Sequence, residues 1–317
     1  MNAAVVESFD APPRYTTFAD PVAGEGERLV TVTAAGLHPV VKALAKGTHY
    51  GSTGQLPFVP GVDGVGKLED GSRVYFGIAR PPFGTFAERA LTSFMCIPLP
   101  DGLDDVTAAA IANPAMSSWA ALTARAKFTA GESVLILGAA GVAGRLAIQI
   151  AKRLGASRVI AAGRGTLDKL KALGADAVIR TDQDPAALVS AFRAELSQSG
   201  IDVVLDYLWG HPAERFLEAI SQKGLGKTAP RIRYIQIGDS AGKTVTLPAS
   251  ILRSSGLEML GSGFGSDSLD QLRQSIANFF QTAEKAPFQF QTRTAPLRDV
   301  EALWNESAKG TRLVFPP

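Results

Sequence analysis

At 317 residues the chain is longer than one hydrophobic core usually organises, and it predicts two domains. Its 46% hydrophobic and 20% charged residues are ordinary for a globular chain, and a formal charge of +2 without a basic block argues against nucleic acid as a partner. Cys96 is the single cysteine, which excludes an internal disulfide and a thiolate-rich metal site.

Residues 1–7 lack the basic and apolar regions of a signal peptide, and no apolar run is long enough to span a bilayer. The expectation is a cytoplasmic protein with no membrane partner. From residue 1 to about 113, short extended runs at 28–33, 73–76 and 86–91 alternate with Gly/Pro turns, as in an antiparallel or barrel-like β domain. Between them, 38–46 predicts a helix stopped at Gly47. From 114 to about 265 the chain alternates strands at 133–137, 159–162, 177–179, 202–205, 234–237 and 257–260 with helices at 143–154, 167–173, 185–198 and 213–222. That alternation predicts a doubly wound parallel sheet, an α/β Rossmann domain. From 266 to 317 come a helix at 269–283, a strand near 288–292, a short helix and a last strand at 311–315, a return segment expected to rejoin the first domain.

The stretch Ser133-Val134-Leu135-Ile136-Leu137 reads as a strand buried on both faces, followed by small residues and then by a helix carrying Leu146, Ile150 and Leu154. Ala139-x-Gly141-x-x-Gly144 falls where a dinucleotide fingerprint belongs, with alanine in place of the usual first glycine. Gly141 would let the backbone approach a pyrophosphate, with Ala139, Ala140, Val142 and Ala143 around it, and Gly144 would let the helix lie close on the sheet. The alternative use of these small residues is simple helix–strand packing. The next strand ends in Gly163-Arg164-Gly165, and no carboxylate lies between Gly155 and Asp168. An acidic residue there would accept from a ribose 2′-hydroxyl, whereas a guanidinium suits a 2′-phosphate, with Lys169 placed to assist. This favours NADPH over a merely solvated loop arginine.

A β-rich domain, a Rossmann domain and a return segment together resemble the medium-chain dehydrogenase/reductase superfamily, and in detail its zinc-independent quinone oxidoreductase branch. The matching pieces are Ala35-Gly36-Leu37-His38-Pro39-Val40, Pro60-Gly61-Val62-Asp63-Gly64-Val65-Gly66, Gly71-Ser72-Arg73-Val74, Gly84-Thr85-Phe86-Ala87-Glu88, Ile97-Pro98-Leu99-Pro100-Asp101-Gly102-Leu103, the fingerprint, Leu173-Gly174-Ala175-Asp176 and Val203-Val204-Leu205-Asp206. The resemblance spans essentially the whole chain and implies a GroES-like fold for the β-rich domain. Zinc members carry an early cysteine, and Gly-His-Glu where this chain has Gly61-Val62-Asp63. The set His38, His49 and Asp63 has no thiolate near it in sequence, so no metal is expected.

The resemblance implies hydride transfer to a quinone or to an α,β-unsaturated carbonyl compound, in a cleft between domains roofed by residues 38–50. It makes Tyr50 the candidate partner of the substrate oxygen and His49 the alternative. His38 stands where many relatives have asparagine. Ser117 or Ser118 falls on a segment that places a hydroxyl beside the cofactor, although a helix N-cap is an equal use. Leu208, Trp209, Ile237, Gly238 and Asp239 fall at strand ends where Rossmann ligands gather, Trp209 either narrowing the pocket or packing in the core. Arg180 lies where relatives place a phosphate-contacting tyrosine. Competing readings are a 2-enoyl-thioester reductase of the same superfamily and a non-enzymatic NADPH-binding protein. The run Leu257-Glu258-Met259-Leu260-Gly261 reads as a sheet edge that a second copy would cover, giving a homodimer.

Overall fold

The computed structural model describes residues 1–222, 228–306 and 310–317. The chain divides into two units, one made of residues 1–114 with 276–317 and the other of residues 115–275.

In the first unit, β1 (Asn2–Val5) pairs antiparallel with β2 (Arg14–Thr17). The strands β3 (Arg28–Gly36), β4 (Asp63–Lys67), β5 (Arg73–Gly77), β6 (Arg89–Thr92) and β7 (Cys96–Pro98) belong to one sheet, with α1 (Pro39–Ala45) in the β3–β4 connection. Helix α2 (Asp105–Ala120) follows and runs on into a π-helical turn, Ala121–Arg125. The division between units falls inside α2, after Pro114.

The second unit carries β8 (Ser133–Leu137), α3 (Val142–Arg153), β9 (Arg158–Gly163), α4 (Lys169–Ala172), β10 (Ala177–Arg180), α5 (Pro185–Ser199), β11 (Val203–Asp206), α6 (Gly210–Ile220), β12 (Arg231–Gln236), α7 (Ala249–Ser254) and β13 (Gly256–Gly261). Its sheet has the order β10-β9-β8-β11-β12-β13 and every pairing is parallel. Uninterrupted apolar strands such as β8, buried at all five positions, are what helices on both faces require. Leu135, Ile160 and Val204 of the strands pack with Leu188, Phe192 and Phe216 of α5 and α6 in one core. The remaining elements are α8 (Leu269–Lys285), β14 (Gln291–Thr294), α9 (Val300–Leu303) and β15 (Thr311–Phe315). β15 pairs with β3 through Val314↔Gly36 and Phe315↔Ala35, and the first unit's larger sheet has the order β14-β15-β3-β4-β5-β7, with β6 on β3.

Four expectations need correction. The run 86–91 is not one strand, because Ala87 bridges to Ala3 while Arg89–Thr92 turns to pair with β3. The strand expected near 288–292 begins at Gln291, because Phe288 is buried against Phe279 of α8, rings stacked 5.5 Å apart. Helix α2 has no counterpart among the expected elements: it is buried along most of its length, so it shows no polar stripe, and it carries Pro114 inside. Helix α6 begins at Gly210, three residues before the expected start.

Candidate active site

The turn after β8 is set by Gly138, whose φ of +94° is a conformation that side chains rarely adopt. The Gly138 and Ala139 amides both donate to the Ala162 carbonyl on β9, each at 2.9 Å, and the Gly141 amide donates back to the Gly138 carbonyl at 3.1 Å. The tight-turn glycine is therefore present one residue before Ala139, and the apparent loss of the first glycine is corrected. A signal was available, since Gly138 follows the apolar strand directly. Gly144 sits where a Cβ would lie 2.4 Å from the Gly138 oxygen and 2.5 Å from the Ala139 Cα, so α3 lies on the turn. At Gly141 a Cβ would meet only the Gly138 oxygen, at 3.5 Å. The fold thus demands glycine at 138 and 144 but not at 141, where glycine leaves the backbone bare. Gly141 is also the N-cap of α3, without a side-chain cap or an acidic residue in the first turn. The first amides of a 12-residue helix, from Val142 and Ala143 onward, have no acceptor within the helix, and helix termini of this kind attract anions.

Beside this turn, Gly163 closes β9, and a Cβ on it would come within 3.2 Å of the Ala140 nitrogen. Arg164 follows and is exposed; among the described residues it makes no hydrogen bond or ion pair. Lys169 is also exposed and opens α4. Arg180 donates to the Gly165 carbonyl at 3.2 Å and pairs with Asp182 at 2.7 Å. It thereby braces the Gly163–Gly165 turn.

The ends of β11 and β12 join the same group. A Cβ on Gly138 would touch Tyr207 and Leu208 at 3.1 and 3.3 Å, and one on Gly238 would lie 3.0 Å from the Tyr207 oxygen. The Ile237 and Gly238 amides donate to the Asp206 carbonyl at 2.8 and 3.1 Å. Asp239 is exposed and pairs with Lys243 at 2.8 Å. Trp209 is partly buried against the core with its ring 6.3 Å from that of Tyr234, so its contact is with the core. Ser117 and Ser118 lie within α2 and so are not N-caps. The Ser117 hydroxyl is 3.1 Å from that of Tyr207, whose pKa burial pushes up to about 12, while Ser118 donates to the Ala115 carbonyl. Tyr207 and Asp206 are functional candidates that sequence reasoning missed; both follow directly from the end of an apolar strand, where ligands collect.

In the β-rich unit, Tyr50 is 76% exposed, its ring 4.2 Å from that of His49, which accepts the Gly51 amide on Nδ1 at 3.1 Å. His38, grouped with them from the sequence, lies at the other end of α1 and is fully buried. Its Nε2 is 3.5 Å from Asp63 Oδ1, and its ring serves the interior of the unit rather than an open surface. Burial holds the imidazole pKa well below its usual value and raises that of Asp63 to about 7. Tyr75 donates to Asp63 at 2.9 Å, and Arg312 donates to the Leu37 carbonyl at 2.7 Å. Although His38 and Asp63 approach each other, among the described residues no group of three or more His, Cys, Asp or Glu could hold a metal ion. Nor, among them, is any helix long and apolar enough to cross a membrane.

The chain is similar to several known proteins. A family model described as zinc-binding dehydrogenase matches residues 143–281. The quinone oxidoreductase of Lama guanicoe is 31% identical over 243 residues, covering 71% of each chain. A probable NADPH-dependent quinone reductase of Emericella nidulans is 29% identical over an alignment of 363 residues that covers all of both chains. The quinone oxidoreductase of Thermus thermophilus, solved alone and in complex with NADPH, superposes over the full length of both chains with a TM-score of 0.79 and 25% identity. The chain belongs to the quinone oxidoreductase branch of the medium-chain dehydrogenase/reductase family, and is an oxidoreductase.

Proposed function

We propose that this protein is an NADPH-dependent, zinc-independent reductase of quinones or α,β-unsaturated carbonyl compounds. The observation that carries the reading is an uncapped helix N-terminus beside the bare backbone of Gly141, with the unpaired cation of Arg164 on the neighbouring turn. Together they offer one site for a pyrophosphate and another for a 2′-phosphate, and the named relatives support both. When bound, the nicotinamide supplies a hydride.

The chain's own groups divide the remaining work. The turn from Ala139 to Ala143 holds the pyrophosphate through main-chain amides, while Arg164 and Lys169 neutralise the 2′-phosphate. Gly163 keeps the backbone clear of the ribose. The turns carrying Leu208, Trp209, Ile237, Gly238 and Asp239 face the nicotinamide end, with the Ser117 hydroxyl beside them. Tyr50, with the His49 ring tilted against its own, donates a hydrogen bond to the acceptor's carbonyl oxygen. An acceptor already electron-poor needs no Lewis acid, so a chelator is expected to leave turnover unchanged.

A panel of quinones, enones and enoyl-CoA esters, each run with NADPH and NADH by loss of nicotinamide absorbance, tests the reading. Turnover of quinones or enones with NADPH preferred supports it. Activity confined to enoyl esters, binding without turnover, or loss of activity in chelator contradicts it. We further propose a homodimer formed across β13, which ends the six-stranded sheet with half-exposed Leu257, Met259 and Leu260. Light scattering that finds only monomer at micromolar concentration would refute it.

A further inference from the structure

Asp206 is a carboxylate fully buried at the end of β11, where an ionised group is costly unless donors surround it. Its carboxylate accepts the Leu208 amide at 2.8 Å, the Trp209 amide at 3.0 and 3.2 Å, and the Tyr234 hydroxyl at 2.6 Å. Its main-chain carbonyl accepts the amides of Ile237 and Gly238 on the other strand-end turn. One residue therefore ties the turn after β11 to the turn after β12.

The first of those turns is not relaxed. Trp209 has φ +56° and ψ −161°, a region that is essentially glycine's. Gly210 beside it has φ +57°, and a Cβ there would lie 2.7 Å from the Ala241 oxygen. The Ala241 amide donates to the Leu208 carbonyl at 2.7 Å, and the Ser240 hydroxyl donates to the Tyr207 carbonyl at 2.9 Å. A strained tryptophan backbone persists only where its surroundings over-determine it. Here the carboxylate grips the Trp209 amide from below, and the 240–241 turn grips its neighbours from the side. Strain kept in place at a strand end where ligands gather has a functional reading: the turn's amides must hold one fixed position.

We propose that Asp206, its carboxylate oriented by the Tyr234 hydroxyl, is the positioning residue that sets both strand-end turns against the nicotinamide end of the cofactor. This rests on the NADPH reading above. Because Arg164 sits on a different strand end, Asp206 sets affinity for either nicotinamide nucleotide and not the choice between them.

The test is calorimetric titration of NADPH and NADH into the wild-type protein, Asp206→Asn and Tyr234→Phe, with thermal midpoints measured in parallel. Asparagine keeps the shape but turns one acceptor into a donor, so Asp206→Asn should weaken both nucleotides about tenfold, their ratio unchanged. Tyr234→Phe leaves the carboxylate in place but less firmly oriented, and should weaken both about threefold. It keeps the question answerable if the asparagine variant does not fold. A purely structural role would lower the midpoint while the folded protein bound as wild type does, and that result overturns the proposal. So does a shift in the NADPH/NADH ratio. If the wild type binds neither nucleotide, the NADPH reading falls and the proposal with it; if the wild type binds and both variants match it, the proposal alone falls.

Discussion

Two buried carboxylates, Asp206 of the parallel unit and Asp63 of the β-rich unit, are held in opposite ways. At the strand ends of the parallel unit, Asp206 has donors on its carboxylate and its carbonyl, and all but the Tyr234 hydroxyl are backbone amides of neighbouring turns. In the β-rich unit, His38 Nδ1 and Nε2 and Asp63 Oδ1 are buried without hydrogen-bond partners, although Tyr75 and Arg312 stand beside them. A network closed by backbone positions the chain and makes a precise site. In the half-closed network of side chains, burial raises the Asp63 pKa to about 7 and holds that of His38 well below its usual value. The contrast explains why the proposed cofactor site is written in glycines and small residues, whereas the histidines of the first unit do not announce what they do.

The largest test of the backbone side of this contrast is a pair of glycines three residues apart. Gly144→Val places its Cβ within 3.0 Å of three backbone atoms, and is expected to prevent folding or lower the thermal midpoint severely. Gly141→Ala adds a Cβ with only ordinary contact to the chain, so its midpoint should match wild type while NADPH affinity falls. Equal loss of stability in both would mean that Gly141 is a packing glycine.

The side-chain half of the contrast is read by pH. Asp63 ordinarily ionises at 3.8, but in the folded chain it holds its proton up to about 7. Between these values the folded state keeps a proton that the unfolded chain has lost, so this group's contribution is full below about 4 and is lost as pH rises toward 7. Asp63→Asn lacks that loss. Its stability relative to wild type should climb by roughly 1.4 kcal/mol per pH unit across the window and then level off. His38, held below its usual 6.5 by burial and 3.5 Å from Asp63, tilts the stability the other way, and repeating the comparison on a His38→Gln background removes its contribution. Denaturant titrations at several pH values check this; a difference that does not change with pH would show that Asp63 is ionised throughout.

The same contrast marks what was legible in the chain. The strand 133–137, with its fingerprint and its helix, could be read because a buried parallel strand is continuously apolar and a phosphate turn needs small residues locally. The last strand, 311–315, was equally plain. Gly138 is obscured because the motif's spacing points to Ala139, one residue after the position that the turn's geometry uses. Helix α2 is hidden because burial on several sides removes its periodicity. The environment of His38 depends on Asp63 and on Arg312, close to the other end of the chain, and no local pattern carries that information. The strain at Trp209 is likewise invisible, since its cause lies in Asp206 and in the turn at Ala241.

The central claim is that the turn after β9 selects a 2′-phosphate through Arg164, and titration of NADPH and NADH into wild type and Arg164→Ala tests it most directly. A charge-assisted phosphate contact at an exposed site lies near the low end of roughly 1.5–3 kcal/mol, or about tenfold in affinity. The account predicts that the variant binds NADPH about tenfold more weakly and NADH almost as wild type does. Equal weakening of both nucleotides, or none of either, would contradict it.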